Sequence, residues 1–267
     1  MRSIGSIFNQ MLGPRALAYS IYEGRLLQSL DRDRLPHHIG IILDGHRRYA
    51  RESGLASYVD SYRAGMARFD EFLEWSHELD IPVITAWVLS RENLVRPEAE
   101  LAPYFDVLSE LFERMPEKAA QRSQRIRFIG SLDLLPSDLV ASAKSAEAAS
   151  PEGDQLLNIA MGYGGRQEIV DAAKDLVSRL AAEGVRAEDM ASHLDAASLA
   201  RHMYSADVPD PDLLIRTSGE SRLSGFLLWQ SAYAEFVFVD VYWPAFRRVD
   251  FLRALRDYTR RDRRYGR

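Results

Sequence analysis

Residues 37–54 read HHIGIILDGHRRYARESG, and in them an uninterrupted apolar run passes directly into a polar segment. The run HIGIIL has the length and the isoleucine content of a strand that is buried on both faces. Asp44 and Gly45 end the run with a turn-forming dipeptide, and the segment after them has helical character. The stretch therefore predicts a strand, a tight connection and a helix that continues to about residue 79.

The same alternation of apolar runs and amphipathic segments continues along the chain. Five further runs predict strands: IPVITAWVLS, RIRFIGS, LLNIAMGYG, DLLIRTSG and AEFVFVDVYWP. The other segments predict helices around residues 98–120, 136–148, 166–183 and 187–203, and from Val249 onward. Apolar strands that alternate with helices are typical of a parallel sheet with both faces covered. We predict an α/β fold, a single domain with a mainly parallel central sheet of about six strands flanked by helices.

The composition restricts the class of protein. A chain of 267 residues with 46% hydrophobic residues can bury a substantial core, and a formal net charge of −5 argues against a general nucleic-acid-binding surface. The absence of cysteine excludes disulfides, thiolate zinc sites and cysteine nucleophiles, and the six histidines lack the spacing of a zinc hydrolase. No apolar run is long enough to span a bilayer and no signal peptide is recognisable, so a cytoplasmic protein is the simplest expectation.

Residues 1–35 form a predicted N-terminal helical extension to a domain that occupies residues 36–267. Apolar residues recur in the extension at helical spacing, up to a charged break at DRDRLP. We expect this segment to pack on its own domain. The alternative is a helix that lies on a membrane surface and makes the protein membrane-associated, but its basic face is thin.

Polar residues follow four of the predicted strands, at the edge where ligands bind in open α/β sheets. They are residues 44–48 after the first strand, 90–93 with Arg96 after the second, 162–166 after the fourth and 216–224 after the fifth. Glycines let backbone N–H groups approach a ligand, and arginines and hydroxyls bind phosphate oxygens. Each arginine alone is most simply a surface ion pair, but their recurrence after successive strands predicts a phosphate-binding site.

Two acids indicate a metal. Asp44 ends the first strand, and Glu235 lies in the otherwise apolar segment AYAEFVF. A buried carboxylate is costly unless it is paired or binds a metal, and Mg²⁺ at a diphosphate needs only one or two carboxylates. A salt bridge is the simpler interpretation of Glu235 taken alone. A phosphatase is disfavoured, because it would need a second acid two residues after Asp44, where His46 stands.

Four stretches together carry a resemblance: HIGIILDGHRRYARESG, VLSRENLVRP, LNIAMGYGGRQEIVDA and DLLIRTSGESRLSGFLLWQSAYAEFVF. They resemble the cis-prenyltransferases, the Z-isoprenyl or undecaprenyl diphosphate synthase family, in order from about residue 36 to the C-terminus. The resemblance implies a Mg²⁺-dependent transferase that condenses isopentenyl diphosphate with an allylic diphosphate to form a cis-prenyl diphosphate. It also implies a homodimer in which Arg264, Tyr265 and Gly266 reach the neighbouring site.

The resemblance assigns roles by position. Asp44, Ser90 and Asn93 are the implied catalytic residues, and Asp44 and Glu235 are the implied Mg²⁺ ligands. The residues after the first strand, with Arg96, would bind the allylic diphosphate, and the loop after the fifth strand would bind the diphosphate of isopentenyl diphosphate. The implied substrate-binding residues are Gly45, His46, Arg47, Arg48, Tyr49, Arg96, Arg216, Arg222 and Ser224.

Several positions depart from the usual family pattern, because His46 replaces an asparagine, Arg47 a glycine and Tyr49 a tryptophan. With residues 54–65, these departures resemble the short-chain branch, whose products stop at about the farnesyl length (C15). Val88, of intermediate size, occupies a position where small residues permit long chains, so it is the implied chain-length residue. The alternatives are a long-chain polyprenyl diphosphate synthase and a weakly active partner subunit of a heteromer.

Overall fold

A computed structural model describes residues 14–261, and in this part of the chain six strands form one sheet. The strand order is β3-β4-β2-β1-β5-β6, and every neighbouring pair is parallel. The predicted α/β fold with a six-stranded parallel sheet is therefore confirmed. The strands are β1 (His38–Ile42), β2 (Val83–Ser90), β3 (Gln124–Ile129), β4 (Gln155–Tyr163), β5 (Leu213–Arg216) and β6 (Glu235–Phe238).

Helices cover the sheet and connect its strands. The helix predicted from the first strand to about residue 79 is two helices, because Gly54 adopts a φ of 65° just after the first of them. Where a helix was predicted over residues 187–203, the structure has a short helical turn and a helix of only five residues, whose N-terminus is capped by Asp195. The helices are α1 (Pro14–Ser29), α2 (His46–Glu52), α3 (Tyr58–Glu78), α4 (Glu98–Gln121), α5 (Ser137–Ala148), α6 (Gly165–Ala182), α7 (Ala196–Ala200) and α8 (Arg248–Thr259).

Two apolar clusters, one on each face of the sheet, form the core. The larger cluster packs Ile41 and Ile159 of the strands against aromatic side chains of α3 and α8, and Phe72 meets Phe251 with ring centroids 5.0 Å apart. The smaller cluster is centred on Trp87, which stacks on Phe226 at 5.2 Å. Burial of each such side chain stabilises the fold by about 1.5–3 kcal/mol. Burial on both faces explains why the strands read as continuous apolar runs.

The pairing of β2 with β4 contains two irregularities that compensate each other. Between Trp87 and Leu89, β2 carries the extra residue Val88, and one step later β4 carries Gly162, whose φ is 55°. The register returns to its original value at Ser90, which pairs with Tyr163. As a result, Val88 and Leu89 both face the larger apolar cluster, whereas consecutive strand residues normally point to opposite faces.

Helix α1 packs along α8 through paired tyrosines and arginines. The guanidinium of Arg247 lies 5.3 Å from the ring centroid of Tyr19 and donates a 2.7 Å hydrogen bond to its hydroxyl. Arg253 lies in the same way over Tyr22. Residues 1–13 of the predicted extension lie outside the described residues, as do Arg264 to Gly266. None of the helices in residues 14–261 combines the length and apolar character that crossing a bilayer requires.

Candidate active site

The end of β1 fixes the backbone of Asp44. Its N–H donates to the hydroxyl of Thr217 at 3.0 Å, and that hydroxyl donates back to the Asp44 carbonyl at 2.8 Å. Gly45 follows with a φ of 109°, and a Cβ there would lie 2.7 Å from the ring of Tyr242. Only glycine fits this turn, and α2 begins immediately after it. The connection between β1 and α2 thereby places the Asp44 carboxylate at the carboxyl edge of the sheet.

Arg216, the last residue of β5, links two predicted site residues. One guanidinium nitrogen donates to Asp44 Oδ2 at 2.8 Å, and the other donates to the Ser224 hydroxyl at 2.9 Å. Burial opposes ionisation of Asp44, but the hydrogen bonds from Arg216 and Ser218 and the charges of Arg216 and Arg48 outweigh it. The pKa of Asp44 is therefore lower than its ordinary value. This carboxylate is ionised at neutral pH.

Three carboxylates at this edge each contact two arginines. The sequence predicted one arginine cluster for each diphosphate, whereas the structure connects the clusters, because Glu220 contacts Arg48 of the first and Arg222 of the other. The arginines are therefore held side by side by acids within the chain. The contacts are Asp44 with Arg48 and Arg216, Glu220 with Arg48 and Arg222, and Glu100 with Arg47 and Arg96.

Most of these charged residues, with the exception of Glu100 and Arg216, line a cavity of about 380 Å³ that also has apolar walls. The polar end brings together most of the predicted binding residues: Asp44, Gly45, His46, Arg47, Arg48, Asn93, Arg96 and Arg222. The sequence did not identify Arg51 or Glu220 at the polar end, although Arg51 follows Arg47 by four positions and so shares its face of α2. The apolar end is formed by Leu43, Tyr62, Val88, Leu89 and Tyr104.

A second cavity, of about 760 Å³, adjoins the first and shares Asn93 with it. Ser90, Gly165 and Ser224 contribute to its wall. The Ser90 hydroxyl accepts a 3.1 Å hydrogen bond from the N–H of Asn93, which fixes the turn after β2. Ser90 and Asn93, the two uncharged residues predicted to be catalytic, thus lie where the cavities meet.

His46 enters the first cavity as a neutral ring. Its Nε2 is buried without a hydrogen-bond partner, and a Cβ on Gly65 would lie 2.2 Å from that nitrogen. Desolvation lowers the pKa of His46 to about 4, although the charge of Asp44 acts in the opposite direction. The ring lies 5.7 Å from that of Tyr62. In the protein itself, His46 is therefore an uncharged imidazole at neutral pH.

Three predicted residues, Tyr49, Arg216 and Glu235, are absent from the linings of both cavities within residues 14–261. Glu235 begins β6 and pairs with Leu213, the first residue of β5, so it lies at the amino edge of the sheet. Its carboxylate contacts Arg261 there. Within one chain, Glu235 and Asp44 therefore lie at opposite edges of the sheet, and the metal role of Glu235 stays a prediction. Tyr49 is half-buried on α2 and is absent from the residues that line either cavity in the described chain.

The donor set of the first cavity fits Mg²⁺ only in combination with phosphate oxygens. Within residues 14–261, no three acidic or histidine side chains converge as a cage for a metal ion. Asp44 offers one ionised carboxylate at the cavity wall, where its side chain is 31% exposed. Mg²⁺ commonly binds through one or two carboxylates together with substrate phosphates and water. Asp44 matches that arrangement as the protein ligand.

Comparisons with known proteins agree with this geometry. Residues 42–266 match the family model described as "Putative undecaprenyl diphosphate synthase". The chain is 48% identical to the (2Z,6E)-farnesyl diphosphate synthase of Thermobifida fusca, over 93% of this chain and 96% of that protein. It is 43% identical to the tritrans,polycis-undecaprenyl-diphosphate synthase (geranylgeranyl-diphosphate specific) of Methanopyrus kandleri, over 93% and 91% of the two chains.

A solved structure is similar as well. Lavandulyl diphosphate synthase from Lavandula x intermedia, in complex with dimethylallyl diphosphate, superposes with a TM-score of 0.82 and 30% identity, over 88% of this chain and 100% of that one. The family match covers both the end of β1 that carries Asp44 and the loop that carries Arg216 and Ser224. By sequence and by fold, the chain belongs to the undecaprenyl diphosphate synthase family of prenyltransferases.

Proposed function

We propose that this chain condenses isopentenyl diphosphate with an allylic diphosphate to form a cis-prenyl diphosphate. The observation that carries the proposal is the pair of adjoining cavities at the carboxyl edge of the sheet, lined by arginines and sharing Asn93. Two diphosphate substrates must meet with their reactive carbons in contact. Adjoining sites with one shared wall meet that requirement.

The allylic substrate occupies the first cavity in this proposal. Arg48, Arg96 and Arg47 bind its diphosphate with charge-assisted hydrogen bonds, and the tail enters the apolar end. The bond between the allylic carbon and the diphosphate oxygen breaks, and the diphosphate leaves with the electron pair. Arginines stabilise the charge that develops on the leaving group.

In this proposal, isopentenyl diphosphate occupies the neighbouring cavity, where Ser224 lies, and Arg222 reaches its diphosphate from the wall of the first cavity. The electron pair of its double bond forms the new carbon–carbon bond to the allylic carbon, and a proton then leaves the isopentenyl unit. Ser90 and Asn93 lie where the two cavities meet, which supports their role beside the reacting carbons. Their side chains orient the isopentenyl unit and relay the proton to an oxygen of the departing diphosphate.

Mg²⁺ is part of the proposal, with Asp44 as its ligand from the chain. Bound there, the ion would supply positive charge to the leaving diphosphate and facilitate its departure. We further propose a homodimer as the active form. A metal role for Glu235 would require a second copy, because in its own chain this residue lies at the other edge of the sheet.

We propose a short-chain product of about the farnesyl length. The 48% identity to a (2Z,6E)-farnesyl diphosphate synthase exceeds the 43% identity to an undecaprenyl diphosphate synthase, and it supports this choice. The volume of the first cavity, about 380 Å³, supports it too, since ligand cavities span roughly 300–1,000 Å³. A long polyprenyl tail would need a far larger space or an exit.

Purified protein, incubated with Mg²⁺, labelled isopentenyl diphosphate and C5, C10 or C15 allylic starters, tests the function. We expect label in a product of about C15, and loss of turnover when EDTA removes the metal. Failure to incorporate label with every starter would refute the transferase activity. A product of polyprenyl length would refute only the short-chain proposal, and size-exclusion chromatography with light scattering checks the homodimer.

A further inference from the structure

One of the residues that form the apolar end of the first cavity, Tyr104, was not identified by the sequence. Tyr104 lies on α4, and its side chain is almost completely buried, with 6% of its surface exposed. Its hydroxyl donates a 2.7 Å hydrogen bond to the backbone carbonyl of Val88. Burial raises the pKa of Tyr104, so the phenol stays protonated and remains a donor.

The acceptor of this bond is unusual because Val88 forms a β-bulge in β2, at the first of the two irregularities in its pairing with β4. Val88 is the extra residue on β2 and has no partner on β4 in the register. A bulged residue is left out of the ladder of hydrogen bonds, and a buried carbonyl without a partner is costly. Tyr104 satisfies that carbonyl, so α4 and the bulge hold each other in position. The bond also fixes the tyrosine ring across the end of the cavity.

The neighbouring rings make this end a continuous wall. The ring of Tyr62 lies 4.6 Å from that of Tyr104, and His46 follows at 5.7 Å from Tyr62. This row therefore runs from the diphosphate end of the cavity, where His46 adjoins Asp44, to its apolar end. A tail that extends from the diphosphate passes along the row and meets Tyr104.

We propose that Tyr104 is a specificity-determining residue that sets how far a prenyl tail can enter the first cavity. This inference rests on the proposed function. The volume of the ring stops the growing chain, and the hydrogen bond to Val88 holds the ring in place. Chain length then depends on the ring that α4 places at this end of the cavity, in addition to the size of the Val88 side chain.

Three variants test the proposal. Tyr104→Ala removes the ring, and we expect products longer by one or more C5 units, with Tyr104→Leu as the replacement if the alanine variant does not fold. Tyr104→Phe keeps the ring and loses only the hydrogen bond, so we expect the wild-type main product and a lower melting temperature. The matched control is Phe112→Leu, a buried aromatic on the same helix that packs on Phe128 and does not line the cavity, and it should leave the product length unchanged.

Calorimetric titration with geranyl, farnesyl and geranylgeranyl diphosphates supplies a measurement independent of turnover. In Tyr104→Leu, we expect the affinity for the longest tail to rise by about tenfold relative to wild type, since tenfold requires the burial of about two more CH₂ groups at about 0.8 kcal/mol each. Unchanged product lengths and affinities in a folded Tyr104→Leu enzyme would overturn this inference while leaving the transferase activity intact. A Tyr104→Phe enzyme that lengthens its products as much as Tyr104→Ala would also overturn it, because the ring would not be the stop. Absence of turnover in the wild type would refute the proposed function instead.

Discussion

Arg216 and Asp44 form a 2.8 Å ion pair that joins the end of β5 to the end of β1. Arg216 is buried, with 6% of its surface exposed, and Asp44 is the acid that accepts from it. The pair therefore has a structural role besides its proposed chemistry, because it compensates the charge of an arginine that water barely reaches. Substitutions of Asp44 consequently need to be judged on both activity and stability.

Asp44→Asn should lower kcat by orders of magnitude at saturating Mg²⁺, since metal stabilisation of developing charge contributes several kcal/mol. Asp44→Ala should in addition lower the free energy of unfolding by about 1–2 kcal/mol. This is less than the ~3–5 kcal/mol of a fully buried pair, because Asp44 is partly exposed. Steady-state kinetics and chemical denaturation measure the two effects. Near-normal turnover of a folded Asp44→Asn enzyme would contradict the proposed role.

His46 and His38 should make the protein less stable as the pH falls from about 6.5 to about 4. Desolvation lowers the pKa of each from 6.5 to about 4 in the folded state. Between those values the unfolded chain binds more protons than the folded chain, so this stabilisation is full above pH 6.5 and decreases as the pH falls.

The His46→Asn variant should reduce the slope of the free energy of unfolding against pH between about pH 4 and 6.5. The part of that slope due to His38 should remain. His193→Asn, at an exposed position, is the control and should leave the slope as it is. Urea denaturation at a series of pH values provides the measurement. An unaltered slope in His46→Asn would show that this ring does not titrate as the geometry indicates.

Arg48→Ala should raise KM for the allylic substrate, and Arg222→Ala should raise KM for isopentenyl diphosphate. Each change removes a charge-assisted hydrogen bond, worth about 1.5–3 kcal/mol, which corresponds to roughly tenfold to hundredfold. Glu220 contacts both arginines, so Glu220→Gln should change both constants. Equal shifts of both constants by each arginine variant would argue against separate sites.

Val88→Ala should lengthen the products by one or more C5 units, and Val88→Phe should shorten them or prevent binding of the starter. Val88 lines the apolar end of the cavity, where the bulge brings it to the same side as Leu89. Loss of two buried methyl groups should also cost about 1–3 kcal/mol of stability. Mass spectrometry of the products, compared with melting temperatures, separates these effects. A stable Val88→Ala enzyme with the wild-type product would show that this side chain does not limit the tail.

The sequence was sufficient to predict the sheet and most of the polar end of the site. Alternating apolar runs and helices determine a parallel sheet, and polar residues after parallel strands necessarily meet at one edge. The distance of Glu235 from Asp44 within one chain was missed, because an acid in an apolar run does not by itself show at which edge of the sheet its side chain lies. The helix break at Gly54 was missed because an isolated glycine in a helical pattern is tolerated in many helices.

The contacts of Tyr104 and Glu220 could not be predicted for a different reason. Both depend on pairings between residues far apart in the chain, and the Val88 carbonyl that Tyr104 meets is exposed by an irregularity of register. Periodicity reports the average direction of side chains along a strand and does not reveal a single extra residue. The acids that hold the arginines likewise follow from tertiary contacts.

The paired irregularities of β2 and β4 restrict how this family member can tolerate insertions and deletions. Deletion of Val88 alone would reverse the direction of every later side chain of β2 and shift Ser90 relative to Tyr163. Simultaneous deletion of Val88 and Gly162 would shorten both strands by one residue and preserve their alignment at the carboxyl edge. Insertions and deletions in these neighbouring strands are therefore tolerated in matched pairs. An unmatched insertion or deletion in either strand displaces the residues where the two cavities meet.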